Sequence, residues 1–322
     1  VEIGSFIELQ FPRGREFYSQ TRDIARLNTG RAAIWHAFRC TGCTAIWLPY
    51  YQCDTVRDFL AAKGAQIRFY HLDRHFNPID LTPAEDEAVL LVNYYGIMSA
   101  TRMAELARPY SHAIIDNCQA FFCASVQGSM NVYSCRKFVG VPDGAYVIGP
   151  DAQQYTEEYP QGYSSDTALF LLQRIEFGCE GKAYQSRALN EHRIDAEDCC
   201  RMSKLTHTIL DGTDYDHIQT KRRQNFQIAQ NLLSDINRLD PTQYYDDSTI
   251  PMVYPLVVED DSLLPKLQDA KHFQGHWWSY ICNELPENTF EYYLSRYVIP
   301  ITIDQRYGHR ELEYLNNVIR GK

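Results

Sequence analysis

The chain of 322 residues is long enough for one large unit and a smaller one around a sizeable core, and with 45% hydrophobic and 22% charged residues it is folded rather than disordered. Its 31 Lys and Arg against 41 Asp and Glu give a formal charge of −10, which excludes indiscriminate binding to nucleic acid or anionic membrane and leaves room for a local basic pocket that takes one phosphate. No apolar run approaches the roughly 20 residues of a membrane span, Val1-Glu2-Ile3-Gly4 carries no signal pattern, and the scattered cysteines read as reduced thiols, so a cytoplasmic protein is expected.

In chain order, Gly30 falls where a turn feeds a helix that also carries His36 and Cys40. Short apolar strands then alternate with amphipathic helices: a strand at 44–48, a helix at 55–62 ending at Gly64, and strands at 66–70 and 88–92. A helix at 102–107, a strand at 112–116, a second at Tyr133 and a closing one at 146–148 follow. This β, α, β succession predicts a mostly parallel sheet covered on both faces. From about Thr213 the pattern changes to a long helix at 216–236, a strand at 252–258, a helix at 263–270 and a last helix at 310–319. Two units are expected, residues 1–212 as a large α/β domain and residues 213–322 as a small α+β domain, although no Pro/Gly/Ser-rich linker marks the boundary near Gly212. Cys40 and Cys43 form a C-x-x-C pair without a second pair at zinc-ligand spacing, so they read as small apolar fillers and no metal site is expected.

The chemistry concentrates in Ile114-Ile115-Asp116-Asn117-Cys118-Gln119-Ala120 and in Tyr133-Ser134-Cys135-Arg136-Lys137-Phe138, followed by Asp143-Gly144. An apolar strand ending in an aspartate, then a strand delivering a lysine ahead of a glycine turn, is the arrangement that a pyridoxal phosphate enzyme needs. Asp116 would hold a pyridinium nitrogen protonated, and Lys137 would hold the aldehyde as a Schiff base. Arg136 cannot replace the lysine, since a guanidinium is not deprotonated. The bland alternative is an aspartate that merely caps a turn.

Leu27-Asn28-Thr29-Gly30-Arg31-Ala32-Ala33-Ile34, Leu48-Pro49-Tyr50-Tyr51-Gln52-Cys53, Val92-Asn93-Tyr94-Tyr95-Gly96, the aspartate and lysine strands, and Ile299-Pro300-Ile301-Thr302-Ile303-Asp304-Gln305-Arg306-Tyr307 follow one another in order. Together they resemble the DegT/DnrJ/EryC1/StrS sugar aminotransferase family across nearly the whole chain. The resemblance implies the fold type I architecture of pyridoxal 5′-phosphate enzymes, an active site at a homodimer interface, and no nucleic-acid or membrane partner. It implies amino transfer from an amino acid, glutamate, to a keto sugar that is nucleotide-linked. Lys137 would be both the Schiff-base lysine and the base, Asp116 would meet the pyridine nitrogen, Gln119 the ring hydroxyl, and Ser134 the phosphate. Gly30 would open a helix N-terminus toward that phosphate, or serve as an ordinary N-cap. Arg31, where the family usually has threonine, would pair with the phosphate or point to the surface.

The chain also departs from the family. Cys53 stands where a ring often stacks on the cofactor, leaving Tyr50, Tyr51, Tyr94 or Tyr95 to substitute, and Cys199 stands where an asparagine reaches the partner subunit's cofactor, with Arg201 a candidate for that reach. His276, Trp278, Arg306 and Tyr307 fall where the family meets its substrate, although aromatic residues of this kind also pack domain interfaces. Two rival readings stay open. One is a dehydratase-like enzyme on the same cofactor, against which Lys137 speaks because such relatives carry histidine there. The other is a non-catalytic or regulatory scaffold that has kept the fold.

Overall fold

The structure, a computed structural model, describes residues 3–322. Val1 and Glu2, part of the segment read above for a signal pattern, lie outside the described residues. In chain order the elements are β1 (Ile24–Leu27), α1 (Gly30–Thr41), β2 (Ala45–Pro49), α2 (Asp54–Ala62), β3 (Gln66–Leu72), β4 (Pro78–Ile79), β5 (Glu87–Val92), α3 (Ala100–Ala107), β6 (Ala113–Asn117), β7 (Met130–Ser134) and β8 (Ala145–Ile148). They continue with α4 (Leu169–Phe177), α5 (Lys182–Ala196), α6 (Lys204–Asp211), α7 (Tyr215–Leu233), β9 (Val253–Val257), α8 (Leu263–Asp269), α9 (Ile281–Glu284), α10 (Phe290–Tyr297), β10 (Val298–Thr302) and α11 (His309–Arg320).

The apolar runs of the first half form one eight-stranded sheet in the order β1-β8-β7-β6-β5-β2-β3-β4. Its centre, β7-β6-β5-β2-β3, is parallel, while β1, β8 and β4 pair antiparallel with their neighbours. Strand β5 is buried along its whole length, as an apolar run covered on both faces must be. Alternation along the strands sorts the two faces. Ala88, Leu90 and Ile114 join Ala33, Ile34 and Phe38 of α1 and Val56 and Leu60 of α2 in one core. Val89, Leu91 and Ile115 join a second core, with Met103 of α3, Phe226 and Leu233 of α7, and the two-stranded sheet of β9 and β10. The C-terminal half therefore docks on the face opposite α1.

Helix α1 starts cleanly because Thr29 Oγ1 accepts from the Ala32 N–H at 3.2 Å, and it stops at Gly42, whose φ of +69° suits a residue without Cβ. The expected long helix is α7, and the expected final helix is α11. No periodic pattern marks residues 163–198 in the sequence, yet they form the hairpin of α4 and α5. Periodicity fails there for a physical reason: α4 buries none of its residues and α5 buries only Ala183, Asn190 and Ile194, so neither helix shows a sorted apolar face.

The segment before β1 is pinned by Glu16, a nearly buried carboxylate that accepts from Arg26 Nε at 2.6 Å and Tyr146 Oη at 2.8 Å and lies 3.6 Å from His207 Nδ1. Burial alone would raise its pKa, but His207, Arg26 and Tyr146 outweigh burial and hold the carboxyl at about 2, below its ordinary 4.5. A depressed carboxylate contributes stability that is present above pH 4.5 and is lost as pH falls from there through about 2. Glu16→Gln should remove that part of the acid dependence and lower stability at pH 7 by roughly 3 kcal/mol. Denaturant titrations of both proteins at pH 7 and pH 3 check this, and an equal difference at the two pH values would reject it.

Candidate active site

Three parallel strands end at one edge of the sheet, and their register decides what meets there. Val92 pairs with Asp116, and Asp116 with Val132, so Asn93, Asp116 and the end of β7 lie side by side. Ligands of open parallel sheets bind outside such carboxyl ends. On the other flank, Ser134 pairs with Ala145 and Ala145 with Leu27, which brings the turn after β1, and hence the start of α1, next to Ser134.

Asp116 is 7% exposed; its Oδ1 accepts the Cys118 N–H at 2.9 Å, and its Oδ2 has no protein donor among the described residues. Gln119 is held by the Asn93-Tyr94-Tyr95-Gly96 turn. Tyr95, at φ +60°, donates its N–H to Gln119 Oε1 at 2.6 Å, and Gly96 admits no side chain because a Cβ there would stand 2.1 Å from the Gln119 carbonyl. With Oε1 engaged, the Gln119 amide nitrogen is the group left for a ligand. Strain of this kind is tolerated where it positions a functional group.

Gly30 is required by space as well as by its place at the start of α1. A Cβ on it would press on Cys118 Sγ at 2.8 Å and lie 3.9 Å from Ser134 Cβ. The N–H groups of Gly30 and Arg31 have no acceptor among the described residues, so the first turn of α1 presents donors and the positive end of its dipole beside the Ser134 hydroxyl. The Arg31 guanidinium takes neither of the directions expected from sequence. It is buried, with Nη1 on Asp195 at 2.9 Å, Nη2 on the Ile194 carbonyl, and the Phe59 ring at 5.4 Å. The unforeseen helix α5 supplies that carboxylate, so the side chain fastens α5 to α1.

Lys137 closes the short helical turn Cys135–Lys137 after β7, is exposed, and has no side-chain partner among the described residues. Burial pushes the Cys118 thiol far above its ordinary range; the Asp116 charge adds to this, and the Lys137 charge opposes it. The downstream turn is locked by Asp143, which accepts from Ser203 N–H at 3.0 Å and Ser203 Oγ at 2.8 Å and also bonds Thr206.

Lys137, Ser134 and Gln119 open into a cleft of about 850 Å³ between the lysine turn, the α4–α5 hairpin and the C-terminal half. Of the residues proposed from sequence to meet substrate, Trp278, Arg306 and Tyr307 border it. His276 does not: its Nδ1 lies 2.9 Å from the Val298 carbonyl. The Arg306 fork is already held by Asp304, with Nε at 2.9 Å and Nη2 at 2.7 Å. Sequence reasoning missed Arg174 of α4 and Arg187 of α5, which line the cleft with no carboxylate partner among the described residues; seeing them required the hairpin. None of the proposed stacking tyrosines borders the cleft. Tyr51, Tyr94 and Tyr95 are core residues, joined by a Tyr51–Tyr95 hydroxyl contact of 2.7 Å, and Tyr50 stacks on Phe69 in a separate recess with Cys53. Arg201 pairs with Glu157 of its own chain at 2.8 Å, and Cys199 is buried.

No protein-family profile matches the chain, and no curated protein does. Solved structures do. A DegT DnrJ EryC1 StrS aminotransferase from Brucella abortus superposes with a TM-score of 0.62 at 14% identity, over 94% of this chain and 87% of its own. DesI, determined in the presence of its TDP-sugar product, gives a TM-score of 0.64 at 15% identity over 94% and 80%. A GDP-4-keto-6-deoxy-D-mannose-3-dehydratase from E. coli, with bound hydrated PLP, gives 0.63 at 13% over 93% and 88%. The chain thus has the fold of the sugar aminotransferases, the fold type I architecture of pyridoxal phosphate enzymes.

Proposed function

We propose that this protein is a pyridoxal 5′-phosphate-dependent aminotransferase that moves the amino group of an amino acid, glutamate, to the keto group of a nucleotide-linked sugar. One observation carries the reading: a lysine exposed in a cleft, a carboxylate with one oxygen free, and a helix N-terminus beside a serine hydroxyl all meet at one sheet edge. These residues fit the cofactor. The first turn of α1 with Ser134 suits its phosphate, Asp116 Oδ2 its ring nitrogen, the Gln119 amide its ring hydroxyl and Lys137 its aldehyde. When bound, the cofactor supplies an electron sink that acidifies the C–H bond of the amine-bearing carbon. Asp116 would hold a proton at the ring nitrogen through a charge-assisted hydrogen bond. Lys137 Nζ, released from the aldehyde, would be the base that carries a proton away from the amine-bearing carbon and delivers it to the cofactor carbon that had held the aldehyde. The fold also serves a dehydratase. A lysine at position 137 supports amino transfer, because one amine can both bind an aldehyde carbon and shuttle a proton.

The nucleotide-linked substrate is supported by charge. In a chain with a net charge of −10, Arg174 and Arg187 bring to the cleft guanidinium groups that no carboxylate pairs among the described residues, where a diphosphate would find bidentate donors. The homodimer belongs to the same proposal, supported by the exposed apolar side chains Leu169, Leu172 and Ile175 on α4, which a second copy would cover. The test is spectroscopic and kinetic. Protein loaded with pyridoxal 5′-phosphate should absorb in the violet, lose that band on addition of glutamate, and regain it with one of a panel of nucleotide-linked keto sugars. In the Arg174→Gln, Arg187→Gln double variant, KM for that sugar should rise roughly ten- to a hundredfold with kcat little changed. A colourless protein, or a band indifferent to every amino acid tried, rejects the reading.

A further inference from the structure

The exit of the lysine turn is held by side chains from the far half of the chain. Inside the turn, Phe138 and Val139 donate their N–H groups to the Cys135 carbonyl at 3.0 and 2.9 Å, and Cys135 donates to the Gly144 carbonyl at 3.0 Å. Among the described residues, no backbone N–H donates to the carbonyls of Lys137 and Phe138. Arg222 Nη2, from α7, reaches the Lys137 carbonyl at 3.4 Å, and Gln305 Nε2, from the loop after β10, reaches the Phe138 carbonyl at 2.9 Å.

Arg222 is an unusual residue for this task. It is 2% exposed, its guanidinium lies 4.4 Å from the Phe138 ring centre, and its Nη1 donates to the Met252 carbonyl at 2.8 Å. No carboxylate pairs with it at salt-bridge distance among the described residues. Burial lowers its pKa to about 10, partly offset by the charge of Asp304, so it stays a cation at neutral pH. Burying a cation among carbonyls is costly, and here the carbonyls it joins belong to two separate pieces of chain: the lysine turn and the segment leading into β9. Gln305 holds the next carbonyl of the lysine turn, that of Phe138, from the loop after β10. Its Oε1, like Arg222 Nε, is buried without a partner among the described residues, so neither side chain is placed there by a saturated network of its own.

We propose that Arg222 and Gln305 are positioning residues, a two-point clamp through which the C-terminal half fixes the turn that presents Lys137 to the cleft. The clamp deepens the aminotransferase reading and rests on it for its consequence in turnover. Its mechanical part stands on the contacts alone. When α7 and the 303–307 loop are docked, the Lys137 amine has one approach to the cleft; when they are released, the turn samples several.

Hydrogen exchange on the full-length chain without added cofactor tests the mechanical part. In Gln305→Leu and in Arg222→Met, the amides of residues 135–139 should exchange roughly three- to tenfold faster, with β2 and β5 unchanged and Arg222→Lys intermediate. In cofactor-loaded protein, the rate of borohydride-trapped adduct formation on Lys137 should fall with kcat, while KM for the substrates holds. Gln305 sits on a half-buried loop, so its variant stays interpretable if Arg222→Met does not fold. Unchanged exchange at 135–139, or an equal rise throughout the sheet, overturns the clamp. Faster local exchange in variants of a parent that never forms the Lys137 adduct upholds the clamp and rejects the cofactor reading.

Discussion

Lys137→Ala should abolish turnover, with a loss of more than about 10⁴-fold, because under the proposed function it would remove at once the amine that binds the cofactor and the base that moves the proton. The structure makes this variant easy to interpret. Lys137 is exposed and its side chain bonds to nothing among the described residues, so the melting temperature should stay within a degree or two of the parent while the violet band disappears. Neighbouring cations cannot substitute: Arg136 is a guanidinium paired with Glu191. One rival lysine borders the same cleft, Lys271, whose Nζ lies 3.4 Å from Glu180. Peptide mapping after borohydride reduction separates the two, and an adduct on Lys271 would overturn the assignment to Lys137.

What could be read from sequence follows from how each element is stabilised. The strands β5 and β6 are legible because a strand covered on both faces must be a continuous apolar run, and the chemistry-bearing residues follow the ends of those runs. Asp116, Gln119 and Ser134, the residues proposed to meet the cofactor, therefore stand at positions that the sequence pattern itself marks. The direction of Arg31 is not marked in this way, because it is set by Asp195 and Ile194 on α5, a helix with almost no buried face and hence no periodic signal. The same blindness hid Arg174 and Arg187. The tyrosines misled for a different reason. Tyr51, Tyr94 and Tyr95 sit in motifs that border the site, but each hydroxyl finds a partner inside the protein: Tyr51 and Tyr95 meet each other, and Tyr94 donates to the Tyr51 carbonyl at 2.8 Å. A sequence cannot tell a tyrosine that packs beneath a site from one that faces into it.

The Asp116→Asn variant isolates charge from shape. Asparagine can still accept the Cys118 N–H that Asp116 Oδ1 now accepts at 2.9 Å, so the turn after β6 should keep its form. Its second polar atom would be a donor, where a protonated ring nitrogen needs an acceptor carrying negative charge. Because residue 116 is 7% exposed, water can do little to replace that charge. Cofactor should therefore still attach to Lys137, and the borohydride adduct should form in near-normal yield. Loss of the proton from the amine-bearing carbon should slow by roughly 10²- to 10⁴-fold, since under the proposed function that step alone would draw on the electron sink the carboxylate sustains. Rapid mixing with protiated and α-deuterated glutamate reads the step directly, and the isotope effect on a single turnover should grow as proton removal becomes the slowest event. If the variant instead matches the parent in single-turnover rate and isotope effect, Asp116 is a turn-capping residue, and the ring nitrogen must be held by another group or left without a proton.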